Sequence, residues 1–296
     1  MKKILILAMG CCALIASAQQ VTVTSTTRLL KGVEGPAFYP VLNKAGTQLL
    51  YATGSNYGLK IYDFNDNVAA RISDENGAGI DAAFGPDGKV YYVTQQRNAE
   101  NLIYRTGCSY DVATATSQVV LEPQHGAVRP QIGTAGVAIR GAKKSVALSS
   151  NIGTAVYVEG SKVLVTVNGK TREFSPVQSF AGYLWPSLSP DGKKVAFFAA
   201  GKGIVVMDLE GNVLSMLGKY EMPCWYNNDY LVAQNALDDG HQFTSSQIML
   251  LKADGSFKTH LTAPTSMTMQ PTSAAGKIVY TTVDGNLSMM TISINE

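Results

Sequence analysis

A short frame of residues returns six times along this chain of 296 residues, and no other feature limits its fold as much. The clearest copy runs Trp185-Pro186-Ser187-Leu188-Ser189-Pro190-Asp191-Gly192-Lys193-Lys194-Val195-Ala196-Phe197-Phe198, followed by Gly203-Ile204-Val205-Val206-Met207-Asp208-Leu209. Pro presets φ, Asp tolerates the bend and Gly accepts a positive φ, so Pro190-Asp191-Gly192 reads as a turn between two strands. A close copy is Ala83-Phe84-Gly85-Pro86-Asp87-Gly88-Lys89-Val90-Tyr91-Tyr92-Val93. Looser copies begin at Tyr39-Pro40, Arg129-Pro130, Met222-Pro223 and Gln270-Pro271, with Gly46, Gly136, Asp229 and Gly276 at the turn.

These turns are separated by 42, 48, 56, 37 and 47 residues, a mean of 46. Repeats of about 40 to 50 residues holding several strands each are blades of a propeller. Six units of this length fill the chain beyond its first eighteen residues, so the spacing predicts an all-β, six-bladed β-propeller as one domain over 19–296. No segment longer than a turn or two has helical spacing, which excludes a βαβ architecture. The last copy leaves little chain for an outer strand, whereas Val21-Thr22-Val23-Thr24-Ser25-Thr26 alternates without a partner in its own blade. That strand is expected to close the last blade and cover its edge.

Pro-x-Leu-Ser-Pro-Asp-Gly-Lys-Lys-Val-Ala-Phe, over Pro186–Phe197, resembles the blade signature of the TolB-like propellers, which are similar to WD-type repeats. Two blades resemble it strongly and four loosely. The resemblance implies a propeller of the bacterial envelope. The chain has only about fifteen residues between the leader and the first blade, where TolB carries an α/β domain. It also lacks the Gly-x-Ser-x-Gly of the hydrolase domain in prolyl oligopeptidases. Fold and compartment follow from the likeness more readily than activity does.

Residues 1–18 read as a secretory signal peptide: Lys2-Lys3, an apolar run Ile4–Ile15, then Ala16-Ser17-Ala18. A spanning helix needs about 20 apolar residues, more than this run supplies, and no later stretch compares with it. Lipid attachment at Cys11 or Cys12 is the competing reading, against which Ala8 and Met9 stand where a lipobox has Leu. The expected location is the periplasm or the cell exterior. Loss of Lys2 and Lys3 leaves 22 basic against 22 acidic residues, a balance that argues against a nucleic-acid partner. Cys108 and Cys224 would remain, on blades too distant for the 7 Å or so that a disulfide allows, so two free thiols are expected.

In such blades the first strand lines the central channel, and the residue before the Pro position sits near the mouth. Those residues are Tyr39, Asp81, Arg129, Trp185, Met222 and Gln270. Two aromatic rings, an acid, a base and an amide suit recognition of a peptide or a glycan; a channel simply plugged by its side chains, with Asp81 paired to Arg129, is the alternative. No catalytic residue is assigned. The three histidines, His125, His241 and His260, lack metal-ligand spacing, and no cofactor is expected, with calcium on channel carboxylates left open. Asp238-Asp239-Gly240-His241 reads as a loop, and Cys224 as a small buried hydrophobe before a reactive thiol. The expected function is a monomeric binding module for an envelope protein, peptide or glycan. The alternative is a carbohydrate-active lyase or hydrolase, which needs converging carboxylates.

Overall fold

A computed structural model describes residues 19–30, 35–55, 57–178 and 181–295; the leader assigned to 1–18 lies outside them. Every regular element among the described residues is a strand. The strands form seven antiparallel sheets. The ring therefore has seven blades, not the six that the repeat spacing predicts.

Blade I contains Phe38–Leu42, Gln48–Ala52, Tyr57–Asp63 and Val68–Asn76, and blade II Ala83–Phe84, Val90–Arg97, Ile103–Asp111 and Thr116–His125. Blade III has only Val128–Ile132, Val137–Gly141 and Val146–Ala147, and blade IV only Thr154–Glu159, Lys162–Val167 and Lys170–Phe174. Blade V holds Tyr183–Leu188, Lys194–Ala199, Gly203–Asp208 and Val213–Gly218. Blade VI holds Glu221–Trp225, Tyr230–Asp238, Phe243–Lys252 and Lys258–His260. Blade VII is Thr268–Ala274, Lys277–Thr282 and Ser288–Asn295, completed by the N-terminal strand Gln20–Arg28. That strand runs antiparallel to Ser288–Asn295, from Gln20 opposite Asn295 to Arg28 opposite Ser288. The two ends of the chain thus share one sheet, as the unpartnered alternation of Val21–Thr26 implied.

The six turns read from the sequence are all present, and the missed blade lies inside the 56-residue gap between Gly136 and Gly192. Its place follows from parity. A four-stranded blade returns the chain to the face where it began, but three strands leave it at the opposite face. Blade III ends there, so blade IV starts there and its innermost strand runs backwards. The antiparallel bridge of Gly133 with Ala155 joins the end of one innermost strand to the beginning of the next. At the other face, Tyr183 N–H donates to Gly160 O at 2.7 Å, joining the end of blade IV's strand to the start of blade V's. Blade IV's own three strands restore the polarity. We call the end at which the other six innermost strands begin the mouth; reversal carries Glu159 and Gly160 to it.

Central strands are buried on both sides and read as continuous apolar runs. Along Lys194–Ala199, Val195 and Phe197 face blade IV while Ala196 faces blade VI. Seven buried clusters result, one at each seam between neighbouring blades. Six of them hold between six and ten buried residues, whereas the seam between blades III and IV holds three, Ala138, Ile152 and Ala155. That seam is held instead by polar contacts, among them Thr134 N–H to Thr154 O at 2.9 Å.

Candidate functional site at the channel mouth

The innermost strands of blades I, V, VI and VII carry the same irregularity. In each, three residues of the strand pass for two of its neighbour: Phe38 to Val41, Leu184 to Ser187, Glu221 to Cys224 and Met269 to Thr272. This is a β-bulge, which re-aims a side chain and leaves one residue outside the ladder. The first bulged residue is Tyr39, Trp185, Met222 or Gln270, each followed by Pro and each left-handed, with φ of 49°, 50°, 52° and 55°. Asp81 of blade II shares the conformation at 57°. The left-handed region costs a residue with a side chain about 1–2 kcal/mol, so these positions hold strain that the surrounding sheets must offset. Arg129 differs: blade III pairs in unbroken register from Val128 to Ile132. Five of the six residues assigned to the mouth thus share a left-handed backbone, four of them inside a bulge, and Arg129 stands on a regular strand.

A cavity of about 740 Å³ occupies the channel and is walled by residues on or beside the innermost strands of all seven blades. Asp81, Arg129, Trp185 and Met222 line it directly. Tyr39 and Gln270 contribute through the prolines that follow them, Pro40 and Pro271. The Gln270 side chain is engaged elsewhere: its Oε1 accepts from Tyr39 N–H at 2.7 Å, while the backbone N–H of Gln270 donates to Gln234 Oε1 at 3.0 Å. Gln270 stitches blades VI, VII and I together at the mouth. Arg129 Nε meets Asp81 Oδ2 at 3.3 Å, both side chains about half exposed, a pairing that adds little stability. Trp185 is 38% exposed, with its ring 5.4 Å from that of Phe198.

Sequence reasoning missed Gln131, Arg140, Tyr157 and Glu159, which line the same cavity. The last two belong to the reversed blade. Arg140 Nε donates to Gln131 Oε1 at 2.6 Å, and the Arg140 guanidinium lies 5.1 Å from the centre of the Tyr157 ring.

Loops between second and third strands also reach the mouth. Of the thirteen large hydrophobic residues exposed among the described residues, Tyr57, Leu102, Leu184, Trp185, Leu237, Phe243 and Val283 stand there, whereas Val68 and Val213 begin outermost strands at the opposite face. The rest lie on outermost strands. Asp238–His241 is the turn of the long hairpin that carries Leu237 and Phe243, with Asp239 Oδ1 accepting from His241 and Gln242 N–H. No three His, Cys, Asp or Glu side chains gather into a metal-binding group among the described residues. The Cys224 sulfur accepts from Ser273 N–H at 3.3 Å, and burial pushes its thiol up, so it is not primed as a nucleophile. Cys108 is likewise free.

Glu221, beside Met222, has its carboxyl raised by burial and then by the charge of Asp238. Its folded-state pKa lies above the unfolded one, so the folded protein holds the proton more tightly and stability falls as pH rises through that interval. Glu221→Gln should therefore raise the melting temperature at neutral pH, and the gain should vanish once pH drops below the ordinary glutamate range. Melting curves of both proteins from about pH 3 to pH 8 check this.

No protein-family profile and no curated protein sequence matches the chain. Among solved structures, TolB from Acinetobacter baumannii is similar with a TM-score of 0.55 at 15% identity, over 80% of this chain; the match spans 57% of that protein's length. A virginiamycin B lyase from Staphylococcus aureus, solved with quinupristin, is similar at a TM-score of 0.59 and 11% identity, covering 92% of this chain and 99% of that one. A chain of the mitotic checkpoint complex gives 0.56 and 10% identity over 98% of both. Likeness at these identities establishes the β-propeller fold. No helix among the described residues is long and apolar enough to cross a membrane.

Proposed function

We propose that this protein is an exported binding module that docks a protein partner on the mouth face and takes an extended segment of it into the channel. The supporting observation is the mouth face: seven exposed large hydrophobic residues stand at that end of the ring, and one of them, Trp185, lines the cavity. Exposed apolar groups gathered on one face mark interaction surfaces, and aromatic anchors at a pocket carry most of the binding energy in such interfaces. Aliphatic side chains such as Leu102, Leu184, Leu237 and Val283 suit the apolar core of a protein interface. Sugar hydroxyls would ask for polar partners there, so a protein or peptide is favoured over a glycan.

Selection of random displayed peptides against the protein tests the reading. Binders should lose about 100-fold in affinity on Trp185→Ala, the loss of a hot-spot aromatic, and be unaffected by Val68→Ser on the far face. The melting temperature should barely move, because alanine retains the left-handed strain and the Trp185 ring is substantially exposed. Binders that respond to Val68 and ignore Trp185 would refute the assignment. Export is tested separately by sequencing the mature N-terminus, which should be Gln19.

A further inference from the structure

We propose that Arg140, Gln131 and Arg129 form a receptor for a carboxylate in the channel wall, so that the bound segment presents an acidic side chain or a chain terminus there. The proposal rests on reading the channel as the binding site, and it specifies what that site recognises.

Arg129 and Arg140 are direct cross-strand partners in the unbulged ladder of blade III. Directly opposed residues share a face of the sheet, and like charges so placed repel. Two arginines rooted opposite one another in the channel wall, Arg129 reaching to Asp81 and Arg140 to the Tyr157 ring, gain from an anion beside them. The protein supplies only one ion-pair partner: Asp81 meets Arg129, while Arg140 makes no salt bridge among the described residues. Its partners there are Gln131 Oε1 and the Tyr157 ring, which fix the plane of the guanidinium and leave its Nη groups unused.

Gln131 adds an independent sign. It is 1% exposed, and its Nε2 has no acceptor although the side chain belongs to the cavity wall. Leaving a buried donor unmatched costs about 1–3 kcal/mol, and bound oxygen would remove that cost. Arginine's planar fork together with an amide N–H matches a planar, two-oxygen group, which is why a carboxylate is assigned. These donors lie on the sparsely apolar seam between blades III and IV, where only Ala138, Ile152 and Ala155 are buried together. Glu159 lines the same cavity and opposes an anion, so its neutralisation should strengthen binding.

The test titrates the intact protein with acetate, acetamide and inorganic phosphate while the side-chain Nε–H of Arg140 and Nε2–H₂ of Gln131 are followed by NMR. Acetate should shift both saturably and acetamide neither. Arg140→Leu should weaken acetate by at least about tenfold, the worth of a charge-assisted bond, and Glu159→Gln should tighten it. Gln131→Glu, which installs the missing anion beside Arg140, should abolish the acetate response in a folded protein. Resonances unmoved by acetate, an unchanged response in Arg140→Leu, or phosphate binding more tightly than acetate would overturn the proposal. If acetate fails while displayed peptides still depend on Trp185, the carboxylate receptor falls alone. If no peptide binds but acetate behaves as stated, the docking reading falls and the receptor stands.

Discussion

Phe197→Ala should destabilise the protein by about 3–5 kcal/mol, the usual cost of emptying a buried aromatic site, and lower its melting temperature by about 6–10 °C at roughly 2 °C per kcal/mol for a domain of this size. Phe197 is fully buried, packs against Tyr183 with ring centres 4.8 Å apart, and occupies the middle of the seam between blades IV and V. Its neighbours belong to sheets clamped on both sides, so little collapse into the vacancy is available. Val119→Ala provides the contrast: Val119 is exposed on an outermost strand, and its loss should change stability by no more than about 0.5 kcal/mol. Thermal melts of the two variants decide the matter, and equal losses would show that the seam does not carry the ring's stability.

Deleting residues 20–28 should cost about 3 kcal/mol and turn the protein into a concentration-dependent oligomer. Little of the strand itself is buried, so the loss comes from what it covers. Val21, Ile292 and Ile294 pack against the cluster between blades VI and VII, and Met289 against the one between VII and I. Losing Val21 and partly uncovering the other three removes roughly 1 kcal/mol each at most. The ladder to Ser288–Asn295 also goes, with the hydroxyl pairs of Thr24 and Ser25 to Thr291 at 2.7 Å. Blades III and IV show that the ring tolerates a three-stranded blade. What it would then expose is a long unpaired edge, and such edges recruit other chains. Light scattering across protein concentration, alongside melting curves, should register both effects; a monomer that melts normally would contradict them.

The repeat carried most of the fold, because the bulge, the proline and the hairpin turn each need particular residue types. Where Pro40, Pro186, Pro223 and Pro271 follow a bulged residue, the frame is visible and the mouth residue can be named. Blade IV has neither bulge nor proline, since its innermost strand runs the other way. Its hairpins were nonetheless written in the chain. Asn168 and Gly169 are both left-handed, at φ of 49° and 80°, the pair that a two-residue hairpin turn demands, and they follow the largely apolar run Val163–Val167. A count built on proline frames passes over such a blade and reads the 56-residue gap as one long repeat. The consequence for the site was larger than one blade. Tyr157 and Glu159 lie on it, and Arg140, on a second strand, lines the same cavity beside them.

The reversal of blade IV decides which residues meet at the mouth, and nuclear Overhauser contacts to the Tyr183 amide proton test it most directly. The account requires a strong contact from that proton to the α-protons of Gly160, whose carbonyl it bonds at 2.7 Å. A contact to Thr154 or Ala155 in its place would mean that blade IV runs with the others, removing Glu159 from the mouth and Tyr157 from its stack on Arg140.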